Sequence, residues 1–280
     1  MSIDAPAWTI NESFQGFACA NNNPDLCVRV VFGQQPLAYL QDAQLVARMP
    51  AYSVYEKGGR TFIRYPDDKD DVPTFLVVEN HWREYTAYIN PDVYSGPDAE
   101  NAFIVRGGLS MHLREVFAAS LTLNDGFLLH CAAIEHQKKG IVFSAPSQTG
   151  KSTQAHLWQR RYGVRILDGD VAACRLIDGK PVIYGLPWCG SSGESSTGHA
   201  DLAAVVFLEQ AKENKIRQLS LPEAVMRMAA RSFLPLTWSD ALAGRAMDIV
   251  QQAASQVNCY LLQCLPDIEA VELVKQCIGK

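Results

Sequence analysis

Residues 139–153 read KGIVFSAPSQTGKST, and the fold class is best inferred from this stretch. The apolar run at 140–144 predicts a short buried strand, and a helical pattern runs from Lys151 to about Arg161. The loop between them matches the pattern G-x-x-x-x-G-K-[ST], except that Ala145 stands at the first glycine. A strand, such a loop and a helix in this order are typical of a phosphate-binding loop (P-loop) in an α/β domain.

The residues of this loop have the chemistry that phosphate binding requires. Backbone N–H groups of such a loop point at phosphate oxygens, and the helix N-terminus adds positive potential. We expect Lys151 to contact the β- and γ-phosphates and the Ser152 hydroxyl to ligate Mg²⁺. The residues expected to contact the nucleotide are Pro146, Ser147, Gln148, Thr149, Gly150, Lys151, Ser152 and Thr153. The alternative is a strand–turn–helix junction that happens to contain Gly-Lys-Ser.

Two further groups of residues are candidates for the chemistry. Asp168 and Asp170 follow a short apolar strand that ends at Leu167, and a P-loop site needs a carboxylate for Mg²⁺ or for the acceptor hydroxyl. An ordinary Asp-Gly turn is the alternative. His130 lies in the apolar run 127–134, just before the P-loop strand, where it is either a core histidine or a residue at the strand-end crevice that binds ligands in α/β folds.

The first 100 residues are rich in strand and turn signals and contain no catalytic constellation. Strands are expected at 28–32, 52–55, 61–65, 75–78 and 85–89, with a hairpin at Gly58-Gly59 and a solvated acidic loop at 67–71. The turn signals of 90–98 mark a candidate boundary, so we predict a β-rich recognition domain at 1–100 and a nucleotide-binding domain at 101–280. A helix is expected at about 107–122, and mainly helix from Leu221 onward, with a strand near 259–262.

Composition narrows the classes of partner. The formal net charge is −5, which gives no general attraction to nucleic acid or to anionic lipid, so neither partner is expected. No apolar run reaches the length of a membrane-spanning helix, and the N-terminus does not resemble a secretion signal. The eight cysteines contain no C-x-x-C pair, and we interpret them as reduced, mostly buried thiols of a cytoplasmic protein.

Five segments together resemble the nucleotide core shared by HPr kinase/phosphorylase and phosphoenolpyruvate carboxykinase. The resemblance is closest to the small HPr-kinase-like proteins associated with modified-peptide pathways, and it covers about residues 125–280. The segments are LHCAA (129–133), FSAPSQTGKST (143–153), LDGD (167–170), GLPWCGSSG (185–193) and VVFLEQA (205–211). The resemblance implies an α/β fold with a P-loop domain of this type, a smaller β-rich N-terminal domain and a helical C-terminal tail.

The resemblance also implies roles for single residues. His130 matches the family histidine near the metal or phosphate, and Asp170 matches the second acid of an Asp-Asp pair, which is a metal ligand or catalytic base. The implied catalytic residues are therefore Asp170, His130 and Lys151, with Ser152 and Asp170 as metal ligands. Gly169 stands where the first acid of the pair is usual, and Gln148 replaces a common glycine. Asp168 is the residue that would compensate for the missing acid.

These observations favour an Mg²⁺-ATP-dependent phosphotransferase that acts on a Ser or Thr hydroxyl of a peptide or small protein. Related enzymes assemble as oligomers, so a homo-oligomer is a further expectation. The Gly/Ser-rich stretch 186–199, with Trp188, Glu194 and His199, is either a mobile loop facing the acceptor or phosphate, or a surface connection. The competing hypothesis is a nucleotide-gated adaptor of a peptide-modification system with little or no transfer, and Gly169 at the acid position favours it.

Overall fold

The structure is a computed structural model that describes residues 1–19, 23–65, 75–90 and 99–278. The chain forms two compact units: unit 1 comprises residues 1–120 and 237–240, and unit 2 comprises residues 121–236 and 241–280. The acidic run 67–71 and the boundary segment 91–98 lie outside the described residues. The boundary after residue 100 therefore stays a prediction.

Unit 1 contains a seven-stranded sheet in the order β1-β2-β7-β6-β5-β4-β3. Its strands are β1 (Ser2–Asp4), β2 (Cys27–Phe32), β3 (Gln44–Arg48), β4 (Ser53–Lys57), β5 (Arg60–Arg64), β6 (Phe75–Glu79) and β7 (Glu84–Ile89). Short 3-10 turns lie at Ala7–Thr9, Glu12–Phe17 and Leu37–Leu40. The predicted hairpin is confirmed: β4 and β5 are antiparallel, and Gly58 and Gly59 both have positive φ, as the tight turn requires. The strands β1 and β3, which lack a strong alternating pattern, were not predicted.

The first long helix, α1 (Ala99–Leu123), begins about eight residues earlier than the sequence predicts. Gly107 and Gly108 weaken the helical signal, because glycine lowers helix propensity by about 1 kcal/mol relative to alanine. The buried residues Val105 and Leu109 lie on either side of the two glycines, and both are almost fully shielded from solvent. Burial of this apolar face therefore outweighs the weak local propensity.

Unit 2 is built on a nine-stranded mixed sheet, whose main path is β10-β8-β11-β12-β13-β16-β14. Its strands are β8 (Gly126–His136), β9 (Lys139–Ser144), β10 (Arg165–Asp168), β11 (Val171–Ile177), β12 (Lys180–Tyr184), β13 (His199–Gln210), β14 (Lys215–Gln218), β15 (Ser232–Phe233) and β16 (Asn258–Cys264). The long strand β8 pairs antiparallel with β9, β10, β11 and β15, and β13 pairs parallel with β9 and β16. Strand β9, which leads into the predicted phosphate-binding loop, therefore lies between β8 and β13.

Helices cover both faces of this sheet. The helices are α2 (Lys151–Tyr162), α3 (Leu221–Ala230), α4 (Asp240–Gln256) and α5 (Ile268–Ile278). Helices α2 and α5 share one apolar cluster with alternate residues of β8 and β13, and α3 and α4 share the other. The chain is thus a mixed α/β protein with two sheets. Its C-terminal helices are layers of unit 2 rather than a separate tail, because β16 pairs with both β13 and β14 inside the sheet.

The strand and the helix on either side of the loop 145–150 agree with the sequence prediction. Strands β8 and β9 form a hairpin whose turn residues, Gln137 and Lys138, both have positive φ. Helix α2 begins at Lys151 and ends against Gly163, which has φ +63° and closes the last turn through a hydrogen bond to the Gln159 carbonyl. The strand and helix on either side of the loop are therefore confirmed.

The cysteine prediction was wrong in one respect. All eight are free thiols, but only Cys131, Cys174 and Cys259 are buried, whereas Cys19 and Cys27 are exposed and the other three are half-buried. Cys27 lies on the exposed face of β2, whose first residues alternate between exposed and buried, and Cys19 lies outside any helix or strand. Within the described residues, no helix has the length and apolarity that a membrane span needs.

Candidate functional site

The loop between β9 and α2 adopts a conformation that depends on positive φ angles at two residues. Gly150 has φ +117°, which side chains rarely adopt, and it precedes the first residue of α2. Gln148 has φ +63°, where a glycine would carry no steric cost. The Gln148 carbonyl accepts a hydrogen bond from the Gln210 side-chain amide at 3.3 Å, which holds this loop position.

Lys151 lies under the loop and not on its surface. The residue is 7% exposed, and its Nζ atom donates to the carbonyl oxygens of Ala145 at 3.2 Å and Pro146 at 3.5 Å. Burial lowers the pKa of Lys151, and the nearby charge of Asp170 acts in the opposite direction. The positive charge of Arg231 also lowers the pKa of Lys151. These charges therefore lie close enough to Lys151 to affect its ionisation.

His130, in the middle of β8, and Asp170, directly before β11, lie side by side. His130 is paired with Val171 of β11, so the residue that precedes β11 lies beside the histidine. His130 Nε2 lies 3.4 Å from Asp170 Oδ1, and both side chains are partly exposed, at 23% and 32%. The structure thus brings Lys151, Asp170 and His130 into one cluster.

Arg231 is the residue of this cluster that sequence reasoning missed. It follows α3, and its backbone carbonyl accepts a hydrogen bond from the His130 backbone N–H at 2.8 Å. Its guanidinium makes no hydrogen bond or ion pair with the residues that the structure describes. A single arginine after a helix gives no signal in the sequence, since its place beside His130 depends on the pairing of β15 with β8.

Asp168 has a different environment from Asp170. Its side chain is fully buried, and its carboxylate accepts three backbone hydrogen bonds, all at 2.9 Å, from Asp170 and Val171 on Oδ1 and from Leu186 on Oδ2. Burial raises the pKa of Asp168 to about 7, although these hydrogen bonds act in the opposite direction. Asp168 therefore holds the turn together, and Asp170 is the carboxylate that remains partly accessible.

The stretch 186–199 is attached to this turn by backbone contacts. The Gly169 N–H donates to the Glu194 carbonyl, the Ser196 N–H donates to the Leu167 carbonyl, and Glu194 Oε2 lies 2.8 Å from His156 Nε2 of α2. A Cβ atom on Gly169 would lie 2.1 Å from Ser192 Oγ. This contact gives a physical reason for glycine at this position.

The three residues that the sequence singles out in this stretch differ in their environments. Trp188 is 7% exposed and anchors the stretch in the interior. His199 begins β13 and stacks on Tyr184, with ring centroids 5.2 Å apart. Glu194 is engaged by His156. These contacts do not test whether the stretch moves or meets an acceptor, so that role stays a prediction.

A cavity of about 400 Å³ opens beside the loop between β9 and α2. It is lined on one side by loop and helix residues, including Thr149, Gly150 and Gln154, and on the other by Leu208 and Leu265. Its walls therefore combine polar groups with apolar side chains, as a nucleobase requires. A larger cavity of about 560 Å³ lies in unit 1 near Gly58 and Gly59, but it contains none of the predicted site residues.

The donor set fits Mg²⁺ better than a metal held by protein ligands alone. Within the described residues, no group of three or more His, Cys, Asp or Glu side chains is placed to hold a metal ion. Mg²⁺ usually keeps several waters and takes one or two carboxylates together with substrate phosphates. Asp170 provides one accessible carboxylate, and Ser152 provides a hydroxyl in the first turn of α2.

Comparisons with known proteins add little to this geometry. No family model matches the chain, and no curated protein matches it. Among solved structures, the chain is similar to the Hpr(Ser) kinase/phosphatase from Coxiella burnetii, at 9% sequence identity and a TM-score of 0.33. The match covers 55% of this chain and 99% of that chain.

The raised pKa of Asp168 makes stability depend on pH. The folded protein keeps the Asp168 proton up to about pH 7, whereas the unfolded chain releases it near pH 4. The contribution of Asp168 to stability is therefore complete below about pH 4 and is lost as the pH rises through about 7. Between pH 5 and pH 8, we expect the unfolding free energy of the wild type to fall by about 2–3 kcal/mol more than that of Asp168→Asn. Urea denaturation in EDTA measures this difference. Asp201→Asn, on an exposed carboxylate, should keep the wild-type slope, and equal slopes for the wild type and Asp168→Asn would contradict the assignment.

The contact between Gly169 and Ser192 predicts a coupled pair of substitutions. Gly169→Ala should destabilise the protein by about 1–3 kcal/mol, because the new methyl group overlaps the Ser192 side chain. In the Ser192→Gly background the same substitution should cost less, and the coupling should reach about 1 kcal/mol in a double-mutant cycle. Thermal or urea unfolding of the four proteins gives this value. Additive effects would show that the turn and the loop do not touch.

Proposed function

We propose that the chain is an Mg²⁺-ATP-dependent phosphotransferase, of the HPr-kinase-like type, that acts on a Ser or Thr hydroxyl of a peptide or small protein. The observation that carries the proposal is the cluster of Lys151, Asp170 and His130 beside a helix N-terminus. A lysine at a helix start favours phosphate, and a partly exposed carboxylate beside a histidine suits proton transfer or metal binding. The order of sequence motifs described above supports the same reaction class.

The nucleotide is expected on the loop that carries Lys151. Backbone N–H groups of residues 146–153 would surround the β- and γ-phosphates, and the Lys151 ammonium would offset their charge. The cavity beside Thr149 and Gly150 has room for the base. Mg²⁺, when bound, would supply further neutralisation of phosphate charge, with Asp170 and the Ser152 hydroxyl as its protein ligands.

The transfer step needs a proton acceptor at the acceptor hydroxyl. In the proposed reaction the hydroxyl oxygen forms a bond to the γ-phosphorus, the bond from that phosphorus to the β–γ bridging oxygen breaks, and ADP leaves. The hydroxyl proton passes to the pair formed by Asp170 and His130, whose nearest side-chain atoms lie 3.4 Å apart. Arg231 carries a further positive charge beside Lys151 and would stabilise charge on the transferred group.

A second candidate function is supported by the turn itself. Gly169 replaces an acid, and the carboxylate of Asp168 is fully occupied by three backbone hydrogen bonds. Only one carboxylate of the turn is then accessible, which suits a nucleotide-gated adaptor with little or no transfer. Both candidates are expected to bind a peptide or small protein and to bind neither nucleic acid nor a membrane. Both are also expected to be cytoplasmic and to form a homo-oligomer.

A transfer assay separates the two candidates. The protein is incubated with Mg²⁺ and γ-labelled ATP together with each peptide or small protein encoded beside it. We expect labelled acceptor with the wild type and a loss of about 100-fold or more in rate with Asp170→Asn, because general base catalysis contributes about that much. Asp201→Asn removes an exposed carboxylate elsewhere in unit 2 and should leave the rate unchanged. Tight ATP binding without transfer to any of these acceptors would favour the adaptor instead.

A further inference from the structure

Two unpaired arginines share one face of the sheet in unit 1. Arg48 of β3 is paired with Ser53 of β4, and Ser53 is paired with Arg64 of β5, so the three side chains form one row across neighbouring strands. Strands lie about 4.8 Å apart, which places the two arginine Cα atoms about 10 Å apart with a hydroxyl between them. Two like charges therefore face the same small area.

Neither guanidinium is neutralised within the described part of the chain. The side chains of Arg48 and Arg64 make no ion pair or hydrogen bond there, and the Nε atom of Arg64 is buried without a partner. Other arginines of the same sheet are paired: Arg29 lies 3.5 Å from Asp4, and Arg60 lies 2.6 Å from Glu79. An unpaired buried donor beside a second cation indicates a place for an anion from outside this sheet.

The two arginines line a cavity of about 340 Å³. Its other walls include Tyr52, Tyr55 and Met49, so the anionic group would lie next to apolar and aromatic surface. The wall residue Tyr65 already donates its hydroxyl to Glu115 at 3.0 Å, and that carboxylate also lies 3.2 Å from His112. Glu115 is thus already engaged, and it does not pair with either arginine.

The strand that carries Arg48 lies at the edge of the sheet. Among the strands that the structure describes, β3 pairs only with β4. Leu45, Val46 and Met49 beside this edge are 43%, 44% and 38% exposed. The outer backbone groups of an edge strand are available to a further strand, which is one of the common modes of peptide recognition. A bulge between Leu45 and Ala47 limits the regular edge to a short segment.

We propose that unit 1 binds a short, extended, acidic peptide that adds to the edge of β3 and places a Glu or Asp carboxylate against Arg48 and Arg64. A residue paired with Arg48 has its side chain on the same face, where the cavity lies. Its neighbours two positions away lie on that face as well, and they meet the aromatic surface around Tyr55. The peptide therefore carries an acidic residue with an apolar residue two positions away.

This inference rests on the proposed function only in naming a peptide as the occupant, and it is tested without ATP. An array of immobilised decapeptides, with every residue type scanned at each position, is probed with the labelled full-length protein. We expect a preference for Asp or Glu at one position, with an apolar residue two positions away. Binding should fall about tenfold or more with Arg48→Gln/Arg64→Gln, the loss expected for a charge-assisted hydrogen bond. Arg29→Gln/Arg60→Gln removes the same charge from paired arginines of the same sheet and should bind as the wild type does.

Two comparisons need no protein variant and keep the test decisive if a variant unfolds. Replacing the acidic residue of a bound peptide with Gln should weaken binding to the wild type, and N-methylation of the peptide backbone should abolish it. Equal binding of acidic and amide peptides, binding that survives N-methylation, or an absence of any acidic preference would overturn the proposal. The proposal would also be overturned if the protein formed a homodimer through the edge of β3 and no peptide bound there. Loss of phosphotransfer with intact peptide binding would count against the proposed function alone.

Discussion

Three hydrogen bonds to the buried carboxylate of Asp168 fix the turn on which the candidate site depends. Two of them hold the backbone of Asp170 and Val171, and the third reaches Leu186 at the start of the following loop. A buried carboxylate without such donors would be costly, so the turn, the loop and the strand β10 have to stay together. The same contacts leave Asp170 as the carboxylate that can reach a ligand.

The other parts of the site follow from this turn and from the strand order. Because β11 pairs with β8, Asp170 lies beside His130, and because β9 also pairs with β8, the loop that carries Lys151 begins at the same part of the sheet. Gly190 is packed against the Asp170 side chain, where a Cβ atom would come within 2.8 Å of the carboxylate. The site is therefore shaped by close backbone approaches as much as by its charged side chains.

The sequence predicts the local parts of this arrangement well and the long-range parts poorly. The strand, loop and helix around Lys151 are continuous in the chain, so one motif and two periodic patterns are enough to predict them. The approach of Arg231 to Lys151 depends on strand pairing and has no local signature. The sequence likewise indicates Asp168 only as a possible ligand, because the burial and the backbone partners that decide its role depend on contacts that leave no local sequence pattern. Helix α1 continues through Gly107 because its buried face outweighs propensity.

The central claim is that Lys151 and its loop bind the phosphates of a nucleotide. Isothermal titration of Mg²⁺-ATP into the wild type, Lys151→Ala and Lys139→Ala measures it directly. Lys139 serves as the control because it begins β9, the strand that leads into this loop, and is exposed and paired with Asp201. A charge-assisted contact predicts that Lys151→Ala weakens the affinity about 10–100-fold, while Lys139→Ala binds as the wild type does. An affinity that is unchanged by Lys151→Ala would contradict the account.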